Sequence, residues 1–107
     1  MSATRDVPAG TKPGFAPDAG GARWTYVGEL TSANAGAVLT AAGRLPLPAD
    51  GEVDLRGVEA IDSAAVAVLL ALKRRAAAKN LPLRFVGIPA PLASLAELYG
   101  VEEILGA

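Results

Sequence analysis

The stretch Gly51-Glu-Val-Asp-Leu-Arg-Gly-Val-Glu-Ala-Ile-Asp-Ser-Ala-Ala-Val-Ala-Val-Leu-Leu-Ala-Leu-Lys-Arg-Arg75 decides the architecture of the chain. Val53 and Leu55 predict a short buried strand, Gly57 a backbone turn, and Asp62 and Ser63 the first turn of a helix. From Ala64 to Leu72 every residue is Ala, Val or Leu. Length alone would allow such a run as strand or helix. The continuation Lys73-Arg74-Arg75-Ala76-Ala77-Ala78-Lys79 decides for helix. Ala, Leu, Lys and Arg are strong helix formers, and the bases suit the negative end of the helix dipole.

The phases of this helix separate two faces. Ala65, Val68, Leu69, Leu72 and Ala76 recur at helical spacing and form the core face. The opposite face holds Ser63, Ala67, Leu70, Ala71 and Arg74, where a surface helix normally carries charge. A helix apolar on both sides is covered on both sides or docks something. A docking face with Lys73 and Arg74 as cations at its rim is one reading. The other is that alanines are exposed at little cost, with Leu70 a lone exposed apolar residue.

Working outward, Arg23-Trp-Thr-Tyr-Val-Gly28 predicts a strand, with Trp24 and Tyr26 on one face. Those rings fit a core better than a ligand-stacking platform. Phe15, in Pro13-Gly-Phe-Ala-Pro17, fits an edge strand paired across the Asp18–Gly21 turn. Thr31-Ser-Ala-Asn34 offers helix caps, and Ala35, Val38, Leu39 and Ala42 follow at helical spacing. Asp54 stands as a polar residue at a strand end, without the companions a metal site needs. Asn80 suits a left-handed helix stop, and Leu81–Val86 a further strand. Leu92, Leu95, Ala96 and Tyr99 form the stripe of a last helix capped by Gly100. Val101, Ile104 and Leu105 close the chain against the core. Strands alternating with helices imply crossovers and a largely parallel α/β sheet, with the helices mainly on one side.

Composition bounds the function. The chain has 107 residues and a net charge of −1, so nucleic acid is not an expected partner. It has no cysteine and no histidine. That excludes disulfides, thiolate chemistry and a Ser-His triad, and removes the commonest general base and metal ligand. No Gly-rich phosphate loop is present. No catalytic residue, metal or cofactor is expected. No run approaches the roughly 20 apolar residues of a membrane span, and no signal peptide is evident, so a cytoplasmic protein is expected. Residues 1–12 lack periodicity and are expected to form a disordered tail, with one domain over residues 13–107.

At this point the chain resembles the STAS domain, the fold of anti-sigma-factor antagonists. The resemblance rests on Val53-Asp-Leu-Arg-Gly-Val-Glu-Ala-Ile-Asp62-Ser63, on Leu83-Arg-Phe-Val-Gly87, and on Tyr26-Val-Gly-Glu-Leu30 with its "G-E-L" turn. It covers about residues 14–105. It implies a STAS-like α/β fold with a mixed, largely parallel sheet of four to five strands. Sigma-factor regulators usually read Asp-Ser-Ser-Gly or Asp-Ser-Ala-Gly, with the Ser phosphorylated by a partner kinase. Here Asp62-Ser63-Ala64-Ala65 lacks the glycine. The ending Leu95-Ala-Glu-Leu-Tyr-Gly-Val101 resembles that of the MlaB branch, the small STAS subunits of Mla phospholipid transporters.

That branch implies a non-catalytic subunit, peripheral to the inner membrane through its partner. It would bind the ATPase of an ABC transporter that maintains outer-membrane lipid asymmetry. The alternative partner is an anti-sigma-factor kinase, with Ser63 the phosphosite. In either case the partner-binding residues are Asp62, Ser63, Ala67, Leu70, Ala71 and Arg74. From the residue alone, Ser63 is a helix cap or a partner contact. A homodimer through the apolar face is compatible with the same sequence.

Overall fold

The computed structural model describes residues 12–106, so the tail expected over 1–12 lies, apart from Lys12, outside the described residues. Eight elements follow in order: β1 (Gly14–Pro17), β2 (Arg23–Leu30), α1 (Ala35–Ala42), β3 (Glu52–Ile61), α2 (Ser63–Ala78), β4 (Arg84–Val86), α3 (Ala90–Leu98) and α4 (Glu102–Leu105). The strands form one sheet in the order β1-β2-β3-β4. β1 runs antiparallel to β2, as a hairpin must, while the β2–β3 and β3–β4 pairs are parallel. The mixed, largely parallel α/β expectation holds, with four strands.

Strand alternation sorts the sheet into two faces. Trp24, Val53 and Phe85 are register partners across β2, β3 and β4, and all three are buried. With Tyr26 and Leu55 they form the floor of a single core. Val38 and Ala42 of α1, the inner face of α2, Leu92 and Ala96 of α3, and Leu105 of α4 close over it. The helices therefore lie on one side. Each fully buried Leu or Val contributes roughly 1.5–3 kcal/mol by leaving water. Phe15 lies edge-on to Tyr26, ring centroids 4.7 Å apart, and 5.6 Å from Trp24. The polar tips of the two buried rings are satisfied. Trp24 Nε1 donates to the Pro46 carbonyl at 3.2 Å, and Tyr26 Oη to the Glu29 carbonyl at 2.5 Å.

The opposite face carries the alternate residues. Arg23, Glu52 and Arg84 form a row across three strands, with Arg23–Glu52 at 2.6 Å and Arg84–Glu52 at 3.1 Å. Asp54 pairs with Arg56 at 3.0 Å and Arg23 at 3.4 Å.

Several expectations are corrected. β3 does not turn at Gly57 but runs on to Ile61. Gly57 opposes Val27 beside a register shift at which β3 carries one residue more than β2, and a Cβ there would overlap the Tyr26 carbonyl oxygen. Gly57 thus permits close backbone approach rather than a turn. Asp54 consequently lies inside the strand, not at its end. β4 is confined to Arg84–Val86, shorter than the expected 81–86 run that contains Pro82. Tyr99 leaves the α3 stripe. The helix ends at Leu98 in a Schellman turn, with Gly100 N–H donating to Glu97 O and Val101 N–H to Ala96 O, and Tyr99 is exposed. Ile104 also faces outward, while Leu105 alone of its segment is fully buried. The Asn80 stop is as expected: Asn80 has φ 56°, and its Schellman turn closes α2 onto Ala76 and Ala77.

Candidate functional site

The end of β3 feeds directly into α2, and the helix begins on a side chain. Asp62, extended at φ −140°, is the N-cap; its Oδ1 accepts from Ala64 N–H at 2.8 Å. Its Oδ2 accepts from Ser32 N–H at 2.9 Å. The Ser32 and Ala64 amides, in that order, together with the Ser32 hydroxyl, hold the Asp62 carboxyl below the usual carboxylate range. Ser63, weighed as a cap from sequence, is the first helical residue instead. Its side chain is exposed and makes no hydrogen bond among the described residues.

Beyond Ser63 the helix presents the expected outer face. Ala67 and Arg74 are exposed, and Leu70 and Ala71 half-buried. Arg74 makes no ion pair among the described residues. Asp62 belongs to the same end of the helix, but both its oxygens are committed internally. The inner face is Ala65, Val68, Leu69, Leu72 and Ala76, all buried, with Val66 buried at its edge. Helices α1, α3 and α4 all pack against α2. Its exposed strip is thus the central ridge of the helical side.

The three consecutive bases diverge. Lys73 is not a free rim cation: its Nζ donates to the Leu83 carbonyl at 2.6 Å and lies 5.9 Å from the Phe85 ring centroid. Arg75 forks onto the Ala42 carbonyl at 3.0 Å and the Leu45 carbonyl at 2.6 Å, tying α2 to the end of α1. Only Arg74 faces outward. Consecutive helical residues stand about 100° apart, so Lys73 and Arg75 flank Arg74 on either side, and the carbonyls of Leu83, Ala42 and Leu45 draw them inward. Between α2 and α4 an open groove of about 400 Å³ is lined by Leu70, Ala77 and Ile104, with Lys73 and Arg74.

No cluster of acidic, His or Cys residues among the described residues could hold a metal ion. Burial opposes the charge of Asp54, but hydrogen bonds from Arg56, its charge and that of Arg23 outweigh burial and hold the carboxyl below its usual range. Asp54 is therefore a structural anion. No helix among the described residues is long and apolar enough to cross a membrane.

Residues 25–106 match the family described as "Mlab, STAS domain". The chain belongs to the MlaB-type STAS domain family. The match runs from Thr25 in β2 through α4 and leaves out β1 and the first two residues of β2. No curated protein matches the chain. STAS domains are in general interaction modules rather than catalysts, and the α2 ridge of this one is a surface, not a pocket with a nucleophile and base.

Proposed function

We propose that this STAS domain is a non-catalytic accessory subunit of an Mla-type ABC transporter. It docks the outer face of α2 onto the transporter's ATPase and supports phospholipid transport and outer-membrane lipid asymmetry. It works in the cytoplasm and reaches the inner membrane only through that partner. The observation that carries this reading is the α2 ridge. Ala67 and Leu70 offer a close-approach apolar surface, and among the described residues the Ser63 hydroxyl at one end and Arg74 at the other have no partner. A small-residue ridge lets a partner backbone approach closely, while the polar ends set register.

A second reading shares the surface. An exposed Ser63 at the first helical position is accessible to a kinase, as in an anti-sigma-factor antagonist. Ala65, where the chain departs from the glycine of those regulators, is fully buried. The departure changes packing rather than the docking surface, so it separates the readings less than the sequence alone implies.

Affinity purification of the tagged protein from its native cells, with mass spectrometry of its companions, tests the proposal. Recovery of an ABC ATPase with a membrane permease supports it. Recovery of an anti-sigma-factor kinase without them overturns it in favour of the second reading.

A further inference from the structure

Alongside the α2 ridge, Leu70, Arg74 and Ala77 recur at i, i+4 and i+7, so they form one stripe on the flank of α2 that borders α4. Ile104 of α4, 53 % exposed, stands on the other side of the open groove, about 400 Å³ in volume. Three apolar side chains and two bases line this groove, and no acid does. The Lys73 ammonium is held by the Leu83 carbonyl, so it lends the groove its charge. Arg74 has donors to give, since it makes no ion pair among the described residues.

We propose that an amphipathic helix of the docked partner lies in this groove, with apolar side chains between Leu70 and Ile104 and an Asp or Glu side chain on Arg74. The proposal rests on the α2 ridge being a docking face, and not on which protein docks there. Hydrogen bonding selects a helix. Leu70, Lys73 and Arg74 lie inside α2, where the backbone groups pair within the helix, and the Ala77 carbonyl accepts from Asn80 N–H. An extended chain laid against this stripe finds no backbone partner, whereas a helix arrives with its own bonds made. Charge selects the acid. Arg74 and Lys73 attract a carboxylate, and a base on the partner would be repelled. The required pattern is a pair of apolar residues at i and i+4 with Asp or Glu three or four residues from one of them, all on one face. The other groove of the helical side, about 370 Å³, is lined by Glu97 and Glu102 with no base, so it turns the same helix away.

Photo-crosslinking locates the occupant. The full 107-residue chain, with p-benzoylphenylalanine in place of Ile104, is expressed in its native cells and irradiated, and the crosslinked peptide is identified by mass spectrometry. Co-purification with the wild-type chain runs alongside. The expected adduct falls in a helical segment of the partner that carries Asp or Glu within one turn. A synthetic peptide of that segment, followed by fluorescence anisotropy, should bind the wild-type chain. Arg74→Glu should weaken binding about tenfold or more with unchanged circular dichroism, and reversing the peptide's acid to Arg should restore it. Glu97→Lys should leave binding unchanged. An adduct with a second copy of this chain, or with a loop or strand of the partner, overturns the proposal. So does the lack of any adduct, or a peptide indifferent to Arg74→Glu. If an ABC ATPase co-purifies but no adduct forms, the groove proposal falls and the transporter reading stands. An adduct with an acidic helix of some other protein supports the groove proposal and removes the transporter reading.

Discussion

Asp62 and Ser32, 30 positions apart in sequence, are joined by a 2.9 Å hydrogen bond from the Ser32 N–H to the Asp62 carboxylate. The other oxygen of that carboxylate caps α2. One side chain therefore starts the helix and fixes the β2–α1 loop beside it. Asparagine caps as well as aspartate, but an Asn capping through its oxygen has only an amide nitrogen left, which cannot accept from Ser32. Asp62→Asn is expected to speed hydrogen exchange at the Ser32 amide alone. Asp62→Ala should speed it at Ser32 and Ala64 and lower Tm further, by roughly 5 °C. Because the folded carboxyl titrates below its ordinary value, its stabilisation is full above the ordinary carboxylate range and is lost as pH falls through the folded value. The Asn variant should lack that part of the acid sensitivity. Identical exchange at Ser32 in wild type and Asn variant would show that the tie carries no load.

Gly57 is a test of the strand correction. Its missing side chain makes room for the Tyr26 carbonyl, a backbone atom that cannot swing aside. Gly57→Ala should cost at least about 2 kcal/mol in urea unfolding. At a simple turn accepting any residue, the same change would be nearly neutral.

Burial pushes the Tyr26 phenol from 10.0 up to about 12, with the Asn34 amide working against the rise and the charge of Glu29 adding to it. A raised acid titrates first in the unfolded chain. The stability it contributes is therefore complete below pH 10.0 and is lost as pH rises toward about 12. Tyr26→Phe should flatten that alkaline loss and cost about 1 kcal/mol at neutral pH, where the hydrogen bond to Glu29 is missing. An unchanged alkaline profile in the Phe variant would assign the loss to another group.

Arg75 supplies donors to two carbonyls at the end of α1. Arg75→Ala should cost about 1–2 kcal/mol in thermal unfolding. Arg75→Lys should recover only part of it, because an ammonium lacks the two-pronged fork. Full recovery by Lys would mean that charge, not geometry, matters there.

The docking ridge makes its own prediction. Leu70→Asp places an unpaired charge in the interface and should cost about 2–5 kcal/mol of partner binding. Ser63→Glu should weaken binding while the isolated domain stays folded, since Ser63 is exposed and its side chain makes no hydrogen bond among the described residues. Titration of each variant against the purified ATPase reads both effects. Wild-type affinity in both variants would remove the ridge as the docking face.

Much of this was legible from residue patterns. The α2 core face, the burial of Trp24 and Tyr26, the Phe15 edge strand and the Asn80 stop all follow from periodicity and local backbone chemistry. What escaped depends on contacts across the sequence. Gly57 has the same local signature as a turn glycine, and only the position of β2 distinguishes them. Asp62 and Ser63 both favour helix starts, and only the extended backbone at Asp62 shows which one caps. Tyr99 keeps helical spacing with Leu92, Leu95 and Ala96, yet the turn at Gly100 ends α3 one residue before it. The division of labour among Lys73, Arg74 and Arg75 needed the carbonyls of Leu83, Ala42 and Leu45 to be in place.

The Arg23–Glu52–Arg84 row gives the domain a sidedness. The uncovered face of a sheet is an invitation to stack against another sheet, and alternating charge withdraws it. Two such faces brought together would have to shed water from every one of those ions. Apolar contact is thus left to the helical side, and the opposite side of the sheet keeps a charged face.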